Sequence, residues 1–522
     1  MQNQTSRPQG LVVLVAVLFG LVVAFHLGNA VRGQSFYRAL HLGTALEYSR
    51  GSVNLLKPVV VGFNATGTPT AQELPVWQAV AGLVFKVVHS EWFGWANLVS
   101  LFFFATCLWP FFQLARHYIG DRAAWWSLAF FLAQPLIVVW SGMASTDSFS
   151  LVVTIWFLFF ADRMVRTGKL SWWLPACLFA ALSAVSKLPF FMDAGLCSAF
   201  ILLAQFPRDT RRWVLLGSVG MVAAGLFLSW THYADSLSAQ AVYPYQELRL
   251  AENPNMVRWY FGDLHSRLSS GPWIKGGWRF LHATLGTLPM VALLLTALVR
   301  PGNRMPKLWL LAALPTTLIF TPIILGHWHY FLMCCPAVAM LCGATLARWE
   351  IFWAQELPKP WLRLALAGLV LIFSTVDGVI AMKVSIQFDS FKRNLSLIIR
   401  QNTSPADKLL VFDPDDWGGE VLICSHRNGL CVYSLENPPG VSTAKGLITL
   451  LTNAPDLNRL KSLGYNKLVL LSESPVRYAV VAVNPNSQYV HRHYPDHISP
   501  SVDAWPVIYR SEDILIKEIP DE

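Results

Sequence analysis

The chain has 522 residues, of which 54% are hydrophobic and only 14% are charged. A soluble globular protein carries about 25% charged residues, so this composition excludes that class and indicates a protein dissolved mainly in lipid. The formal charge of +9 does not indicate a nucleic-acid partner, because the basic residues are scattered through short loops and form no single patch.

Apolar stretches long enough to cross a membrane recur from Gly10 to Lys383 and then stop. About 20 consecutive apolar residues are needed to span about 30 Å of hydrocarbon. The sequence therefore predicts a polytopic α-helical membrane protein with about eleven transmembrane helices. The predicted spans cover residues 10–28, 94–114, 123–141, 148–166, 171–187, 190–206, 213–231, 280–299, 308–326, 331–347 and 363–383.

The short loops predict the orientation of these spans. The loops Ser141 to Asp147 and Gly326 to His329 carry no lysine or arginine, whereas the loops that alternate with them are basic. The positive-inside rule therefore puts the two uncharged loops outside and the N-terminus inside. A cleaved signal peptide over the first span is an alternative, since Arg7 precedes it, but cleavage leaves the later loops unchanged. The basic loop residues are Arg116, Arg122, Arg163, Arg166, Lys169, Arg208, Arg211, Arg212, Arg300, Arg304, Lys307, Arg348, Lys359 and Arg363.

Three long segments then lie outside, namely loops 29–93 and 232–279 and the tail from residue 384. Spans are confined to residues 1–383, so the sequence predicts a transmembrane catalytic domain there and a separate extracytoplasmic domain over 384–522. Half-apolar stretches in the first outer loop predict helices that lie along the membrane surface.

The tail alternates between strand-like and helix-like segments. Lys408 to Phe412 and Lys467 to Leu471 are short β-type runs, and a helix is predicted between them from Ser442 to Leu463. This alternation predicts a small α/β domain. Two features leave alternatives open: the acidic residues are either a metal or sugar site or a solvated turn, and the cysteines are either a disulfide or two thiols. These residues are Asp413, Asp415 and Asp416, and Cys424 and Cys431.

Five ionisable residues converge on the predicted outer face. Asp147 begins the fourth span, Lys187 ends the fifth, His327 and His329 follow the ninth, and Glu73 lies in the first outer loop. Ionisable groups in or beside a span are costly to place there, so each one needs an explanation. Their convergence predicts a functional site at the outer membrane surface.

Each of these residues also has a purely structural explanation. Asp147 would cap its helix, and Lys187 would extend its ammonium group to the interface. Glu73 would be an ordinary surface carboxylate, and the histidines of His-Trp-His-Tyr would belong to an aromatic interfacial belt. A metal site built on the two histidines needs further ligands, and the sequence marks none.

A lysine and carboxylates in an outer cleft suit a reaction on a phosphate-linked substrate that arrives from the lipid. An ammonium group neutralises a phosphate both when it is bound and as it departs. A carboxylate accepts the proton of an attacking hydroxyl. Together these roles describe glycosyl transfer from a lipid phosphate.

At these residues the chain resembles the GT-C superfamily of polyprenyl-phosphate-sugar glycosyltransferases, in the branch of protein O-mannosyltransferases and aminoarabinose transferases of lipid A. The likeness covers most of residues 1–350 and depends on the order of short segments. These are Arg32-Gly33-Gln34-Ser35, Gly67-Thr68-Pro69 to Glu73-Leu74-Pro75, Ala144 to Asp147, Ala184-Val185-Ser186-Lys187-Leu188-Pro189, and His329-Tyr330 ahead of Pro336.

The resemblance implies a multi-pass enzyme of a bacterial inner membrane that transfers a sugar from a polyprenyl phosphate to an acceptor hydroxyl outside the cytoplasm, with inversion. Lys187 would then hold the lipid phosphate and Asp147 would help to shape the catalytic site. Substrate contacts are expected from four further residues. These are Arg32, His327, His329 and Tyr330.

One departure from the family pattern concerns the catalytic base. The family commonly places an aspartate early in the first outer loop, and Arg32 to Tyr37 contains no acid. Glu73 is then the best catalytic base and Glu47 a weaker one, unless activity has been lost. Because a lipid phosphate is already a good leaving group, no cofactor and no metal are expected.

Three other functions remain open from the sequence. A transporter or flippase usually places ionisable groups near mid-membrane, where this chain has almost none. A glycan ligase would also use an outer cleft, and a non-catalytic envelope assembly protein would bind partners through its tail. The acceptor is a glycan, a lipid or a protein, and residues of the second outer loop are candidates to select it. These are Tyr243, Tyr245, Glu247, Arg249, Arg258 and Tyr260.

Overall fold

The protein is described from a computed structural model. The chain folds into two compact units. The first consists of Met1–Gly33, Glu73–Tyr233 and Val257–Gln387, and the second of Gln34–Gln72, Ala234–Met256 and Phe388–Glu522. Parts of both predicted outer loops therefore group with the tail. The structure describes residues 9–28, 35–59, 73–240, 254–300, 304–356, 359–382, 390–404, 407–412, 420–432, 467–471, 507–510 and 514–518.

Every secondary-structure element in the described part of the first unit is a helix. An apolar chain in lipid requires this, because a helix satisfies its backbone hydrogen bonds internally. Two 3₁₀ helices, Leu170–Trp172 and Trp328–Cys334, interrupt the α-helices. The α-helices of this unit, including the two that continue into the second unit, are α1 (Gln9–Gly28), α3 (Val76–Val88), α4 (Gly94–Ile119), α5 (Asp121–Ala133), α6 (Pro135–Trp140), α7 (Thr146–Thr167), α8 (Trp173–Ser186), α9 (Leu188–Gln205), α10 (Thr210–Gln240), α11 (Pro254–Phe261), α12 (Leu264–Leu268), α13 (Ser270–Thr284), α14 (Leu288–Val299), α15 (Arg304–Ile319), α16 (Thr321–Gly326), α17 (Cys335–Glu356) and α18 (Pro360–Ala381).

Seven of the described helices are long and apolar enough to cross a membrane, and an eighth span results if the bent pair α13 and α14 counts as one. The protein is therefore a multi-pass membrane protein. Each predicted span coincides with helical structure, but several are shorter or broken. The span 123–141 divides into α5 and α6, and 308–326 into α15 and α16.

Prolines explain where these spans break. Proline has no N–H to donate and disfavours helical backbone in the residue before it. Gln134 accordingly has an extended backbone between α5 and Pro135, at the first position of α6. Pro322 likewise lies in the first turn of α16, directly after the break at Phe320.

The span 280–299 is bent rather than straight. The axes of α13 and α14 meet at 98° across a three-residue break. Gly286 lies in that break with φ +76°, a conformation in which a side chain is strained. At most one of these two helices can therefore lie along the membrane normal.

The core of the first unit lies where α4, α5, α7 and α17 pack together. Its fully buried side chains include Phe104, Phe111 and Phe131. Gly343 of α17 lies directly against the backbone of Ser127 in α5. These two helices can approach this closely because glycine has no side chain.

The two ends of α7 differ in character. The helix has 22 residues and is therefore about 33 Å long. Asp147 lies in its first turn, whereas Asp162 and Arg166 form an ion pair of 2.6 Å near its last turn. Arg166 belongs to a loop predicted to be cytoplasmic, so Asp147 lies at the opposite, predicted outer end.

The second unit contains a five-stranded sheet in the order β2-β1-β3-β5-β4. Strand β1 pairs in parallel with β2 and with the central strand β3, whereas β5 pairs antiparallel with β3 and β4. Strands β1 and β3 coincide with the two predicted β-type runs. The elements of this unit are α2 (Ser35–Arg50), α19 (Ser390–Asn402), β1 (Lys408–Phe412), α20 (Glu420–Cys424), β2 (Asn428–Val432), β3 (Lys467–Leu471), β4 (Val507–Arg510) and β5 (Ile514–Glu518).

Several predictions for the tail lie outside the described residues. They are the helix from Ser442 to Leu463 and the acidic segment that starts at Asp413. The side chain of Cys431 also lies outside them, so its pairing with Cys424 stays open.

Candidate active site

Three charged side chains from three separate segments meet inside the first unit. Lys187 Nζ lies 3.0 Å from Asp147 Oδ1 and 3.4 Å from Glu73 Oε1. The side chains of Asp147 and Lys187 are 1% and 3% exposed, whereas that of Glu73 is 21% exposed. One ammonium group thus joins a buried carboxylate to a carboxylate that water can reach.

Prolines and helix ends place Lys187 and Asp147. Lys187 has an extended backbone between α8 and α9 because Pro189, in the first turn of α9, cannot continue the preceding helix. Asp147 is the second residue of α7, after the extended Ser145. The N-terminus of α7 favours the Asp147 anion. Lys187 lies between the C-terminus of α8, which favours a cation, and the N-terminus of α9, which does not.

The capping explanation for Asp147 is therefore incomplete. The side chain of Ser145, the residue that precedes α7, makes no capping hydrogen bond. The Asp147 carboxylate is instead paired with Lys187. Stabilisation of the helix N-terminus alone would not require this ion pair.

The segment that carries Glu73 is fastened to both other segments. Leu74 donates its backbone N–H to Val185 O over 3.2 Å, two residues before Lys187. The Thr146 hydroxyl lies 3.4 Å from Glu73 Oε2 and donates to it. Pro75 then begins the entry into α3, so Glu73 lies at the junction of a loop and a helix.

Two residues of the second 3₁₀ helix complete the buried side of the site. His329 Nε2 lies 4.0 Å from Asp147 Oδ1, and its side chain is fully buried. The ammonium of Lys187 lies 5.0 Å from the centroid of the buried Tyr330 ring, within cation–π range. Both residues were predicted as substrate-binding from their place in the sequence.

His327 lies farther out than His329. The two rings are 5.6 Å apart, and Trp259 of α11 lies 5.7 Å from the His327 ring on another side. Burial lowers the pKa of His327, so the neutral ring is favoured. Its Nδ1 lies 3.0 Å from Ile323 O and must donate, since a carbonyl only accepts. Nε2 is then the acceptor.

The other predicted residues are not brought to this cluster by the described structure. Arg32 lies outside the described residues, as do Tyr243, Tyr245, Glu247 and Arg249. Glu47 belongs to α2 in the second unit. Arg258 and Tyr260 lie on α11. Among the described residues, no group of three or more histidines, cysteines or acids is arranged to hold a metal ion.

A chain of buried hydrogen bonds supports the site and was missed from the sequence. The indole N–H of Trp77 donates to Ser100 Oγ over 2.9 Å, and Ser100 Oγ donates to Met143 O over 2.7 Å. Trp77 follows Glu73 by four residues and Met143 precedes Asp147 by four. The chain therefore links the two acidic segments through α4. A polar Ser100 inside an apolar span was the available signal.

Hydrogen bonds to His26 of α1 also hold the loop that contains Met143. Gly142 donates its N–H to His26 Nε2 over 3.1 Å, and Asn97 donates to the backbone O of His26 over 3.1 Å. His26 is buried, and its Nε2 carries no proton because it accepts. No spacing in the sequence indicates this contact, which joins residues 116 positions apart.

The site can therefore bind an anion and accept a proton at neighbouring positions. The cluster holds two acidic side chains and one lysine, with His329 beside Asp147. An arriving phosphate would compete with the carboxylates for Lys187, and the exposed Glu73 is the easier partner to displace.

Comparisons with known proteins agree with this architecture. Residues 69–231 match the family model described as dolichyl-phosphate-mannose-protein mannosyltransferase. This stretch contains Glu73, Asp147 and Lys187. No curated protein sequence matches the chain.

Solved structures share the fold over almost the whole chain. ArnT from Cupriavidus metallidurans bound to undecaprenyl phosphate is 13% identical with a TM-score of 0.62, over 98% of each chain. The apo state of ArnT gives 14% identity and a TM-score of 0.58, over 98% of this chain and 97% of the other. The resemblance predicted from the sequence is confirmed: residues 69–231 are similar to a mannosyltransferase family model, and the chain has the fold of ArnT, a GT-C type fold.

Proposed function

We propose that this protein transfers a sugar from a polyprenyl-phosphate donor to an acceptor hydroxyl on the extracytoplasmic face of a bacterial inner membrane, with inversion. The observation that carries the proposal is Lys187 held between a buried and an exposed carboxylate. The family description and the undecaprenyl phosphate bound to ArnT support a lipid-phosphate donor. The proposal includes eleven membrane crossings and a C-terminal α/β domain outside.

Lys187 is proposed to bind the donor phosphate. An ammonium group at this position neutralises the phosphate in the bound donor and, more strongly, the charge that develops as the sugar–oxygen bond breaks. Asp147 is proposed to orient Lys187, since it stays fully buried at 3.0 Å. Arg32, predicted from the sequence to bind substrate, would supply a second cation.

Glu73 is proposed to be the general base. It is the more exposed of the two acids, so an acceptor hydroxyl can reach it. Phosphate binding would take Lys187 away from Glu73 and leave that carboxylate free to accept a proton. Donor binding would thus activate the base as well as the leaving group.

The proposed reaction is a single displacement. The acceptor oxygen forms a bond to the anomeric carbon while the bond from that carbon to the phosphate oxygen breaks. The electron pair leaves with the lipid phosphate, and the hydroxyl proton passes to Glu73. Attack opposite to the leaving group inverts the anomeric centre. No metal takes part, because the lipid phosphate departs without one.

Release of free lipid phosphate tests the donor class without knowledge of the acceptor. The full-length protein is reconstituted into vesicles and incubated with several polyprenyl-phosphate sugars, first alone and then with a membrane extract as acceptor source. We expect release from at least one donor, and at least about 100-fold slower release from Lys187→Met. Asp121→Asn is a matched control, since its carboxylate is exposed and pairs with Arg116. The proposal fails if no donor is consumed under any condition.

A further inference from the structure

A groove of about 620 Å³ lies along α13, within the first unit. Three tryptophans line it, namely Trp273, Trp278 and Trp328, together with the cations Lys275 and Arg279. None of its eight lining residues is an acid, a histidine, a cysteine or a hydroxyl-bearing residue. The groove thus has the means to bind a ligand but not to react with it.

The helix that forms this groove has the character of a membrane-surface helix. It meets α14 at 98°, and its exposed side carries Ile274 at 70% and Trp278 at 62% exposure. Large apolar side chains on the exposed face of such a helix lie in the boundary between lipid headgroups and acyl chains. Tryptophan is enriched at the same depth. The groove therefore opens where phospholipids are present at high local concentration.

The two cations lack acidic partners among the described residues. No carboxylate there lies within 4.0 Å of Lys275 or Arg279. Arg279 donates from Nη1 to Leu325 O over 2.6 Å, which leaves its other N–H groups available. Two cations without an acid, at headgroup depth and beside apolar walls, match the charge of an anionic lipid headgroup.

The groove is joined to the segment that carries the histidines. Arg279 binds Leu325 O, and Trp328 directly precedes His329. Gly276 of α13 lies so close to Leu325 that a side chain at this position would overlap it. A ligand seated on α13 therefore contacts the same segment that places His329 beside Asp147.

We propose that this groove is a binding site for an anionic glycerophospholipid of the outer leaflet. The headgroup phosphate lies between Lys275 and Arg279, and an acyl chain lies along the tryptophans. The site is distinct from Lys187, which is buried with Asp147 and Glu73. The bound lipid holds α13 and the segment from Leu325 to Tyr330 in place. This binding goes beyond the proposed transfer reaction and does not depend on it.

Native mass spectrometry of the full-length protein tests the site. The protein is purified in a neutral detergent and titrated with phosphatidylglycerol or phosphatidylcholine as the probe. We expect phosphatidylglycerol to be retained at least about fivefold better, since each basic residue at an anionic surface contributes roughly that factor. Equal retention of the two lipids by the wild type would overturn the proposal.

Two variants and one control separate this groove from general charge effects. Lys275→Gln removes one cation and Trp278→Leu one aromatic wall, at exposed positions where folding tolerates change. We expect each to lower phosphatidylglycerol retention about fivefold. Lys169→Gln removes an exposed cation beyond the far end of α7 and leaves retention unchanged. Unchanged retention in both groove variants, or the same loss in the control, would rule the site out.

A soluble competitor distinguishes a lipid from its headgroup. Glycerol phosphate carries the same charge without acyl chains, and we expect it not to displace phosphatidylglycerol, because the tryptophan walls contribute to binding. Displacement by glycerol phosphate at comparable concentration would show a simple anion site and overturn the lipid assignment. Binding is scored without turnover, so its failure and the failure of the transferase proposal are told apart.

Discussion

Leu74 and Val185 are joined by a backbone hydrogen bond of 3.2 Å, which fixes the segment of Glu73 against the segment of Lys187. The ion pair between these two residues is therefore not the only contact that holds them together. If a donor phosphate displaces Glu73 from Lys187, the backbone bond keeps the two side chains near each other. The base and the phosphate-binding group then stay close while their direct contact is broken.

Lys187→Met is expected to lower donor turnover by at least about 100-fold, because a preorganised charge that stabilises the leaving group is lost. Lys187→Arg keeps a positive charge and should recover part of the activity. Both variants are compared by lipid-phosphate release in vesicles at matched membrane levels. A Lys187→Met protein with wild-type turnover would remove the phosphate-binding role.

Glu73→Gln is expected to lower kcat about 100-fold to 10,000-fold, which is the usual contribution of a general base. Donor KM should fall, because the phosphate no longer has to displace this carboxylate from Lys187. Glutamine preserves the shape of the side chain and an acceptor oxygen, so folding is not at risk. Steady-state kinetics with a saturating acceptor source make the comparison. An unchanged kcat would show that the base lies elsewhere, with Glu47 as the next candidate.

Asp147→Asn is expected to act differently from Glu73→Gln. The change leaves Lys187 without its 3.0 Å carboxylate partner, so the ammonium group is less well held and donor KM should rise together with a fall in kcat. The same kinetic measurements apply. A variant that behaves in every respect like Glu73→Gln would argue against separate roles for the two acids.

The apolar runs predicted where helices lie, but not how they end or bend. The apolar runs continue on both sides of Gln134 and of Leu285 to Thr287. A hydropathy pattern therefore does not show that one helix ends and another begins there. Pro135 marked the first break, whereas the bend at Gly286 depends on a packing contact with a distant helix. Such contacts have no local signature in a sequence.

The charged residues of the site were predictable because each one is costly beside a membrane span. The hydrogen bonds of Ser100 and His26 that support the site were not predictable. Each joins segments that are distant in sequence, and both side chains are ordinary polar groups. The buried Asp193, which accepts from Trp309 Nε1 over 2.7 Å, was missed although a carboxyl group inside a predicted span is the same kind of signal. Packing between helices decides such pairs.

Ser100→Ala is expected to lower kcat several-fold with little change in donor KM. It leaves the Trp77 N–H and Met143 O without their shared partner, at about 1–3 kcal/mol for buried groups. Ser218→Ala is the matched control, because Ser218 Oγ likewise accepts a hydrogen bond of 2.8 Å from the indole N–H of Trp173. Trp173 begins α8, at the end of that helix opposite to Lys187. Equal kinetic effects of both changes would mean that Ser100 serves stability alone.

Removal of divalent metals should leave transfer unchanged. The proposed mechanism has lipid phosphate as its leaving group and Lys187 as its charge partner, so EDTA has no step to interrupt. Lipid-phosphate release is measured before and after extensive treatment with EDTA, and then with added Mg²⁺ or Mn²⁺. Loss of activity that returns with a metal would contradict this part of the mechanism.

Gly286→Ala is expected to destabilise the protein because of the bend between α13 and α14. The residue has φ +76°, and a Cβ there would overlap the backbone carbonyl of Ser374. A left-handed conformation alone costs a side-chain-bearing residue about 1–3 kcal/mol, and the overlap adds to it. The thermal midpoint in detergent should therefore fall.

Gly225→Ala is the same type of substitution, but we expect it not to destabilise the protein. Gly225 lies within α10 with no atom within 4 Å of an added Cβ. Alanine favours a helix over glycine by about 1 kcal/mol, so this variant should keep or raise the thermal midpoint. If both variants shift the midpoint in the same direction and by the same amount, the close approach of Gly286 to Ser374 does not constrain the bend. A thermal midpoint that falls in Gly286→Ala but not in Gly225→Ala would instead show that the bend between α13 and α14 contributes to stability.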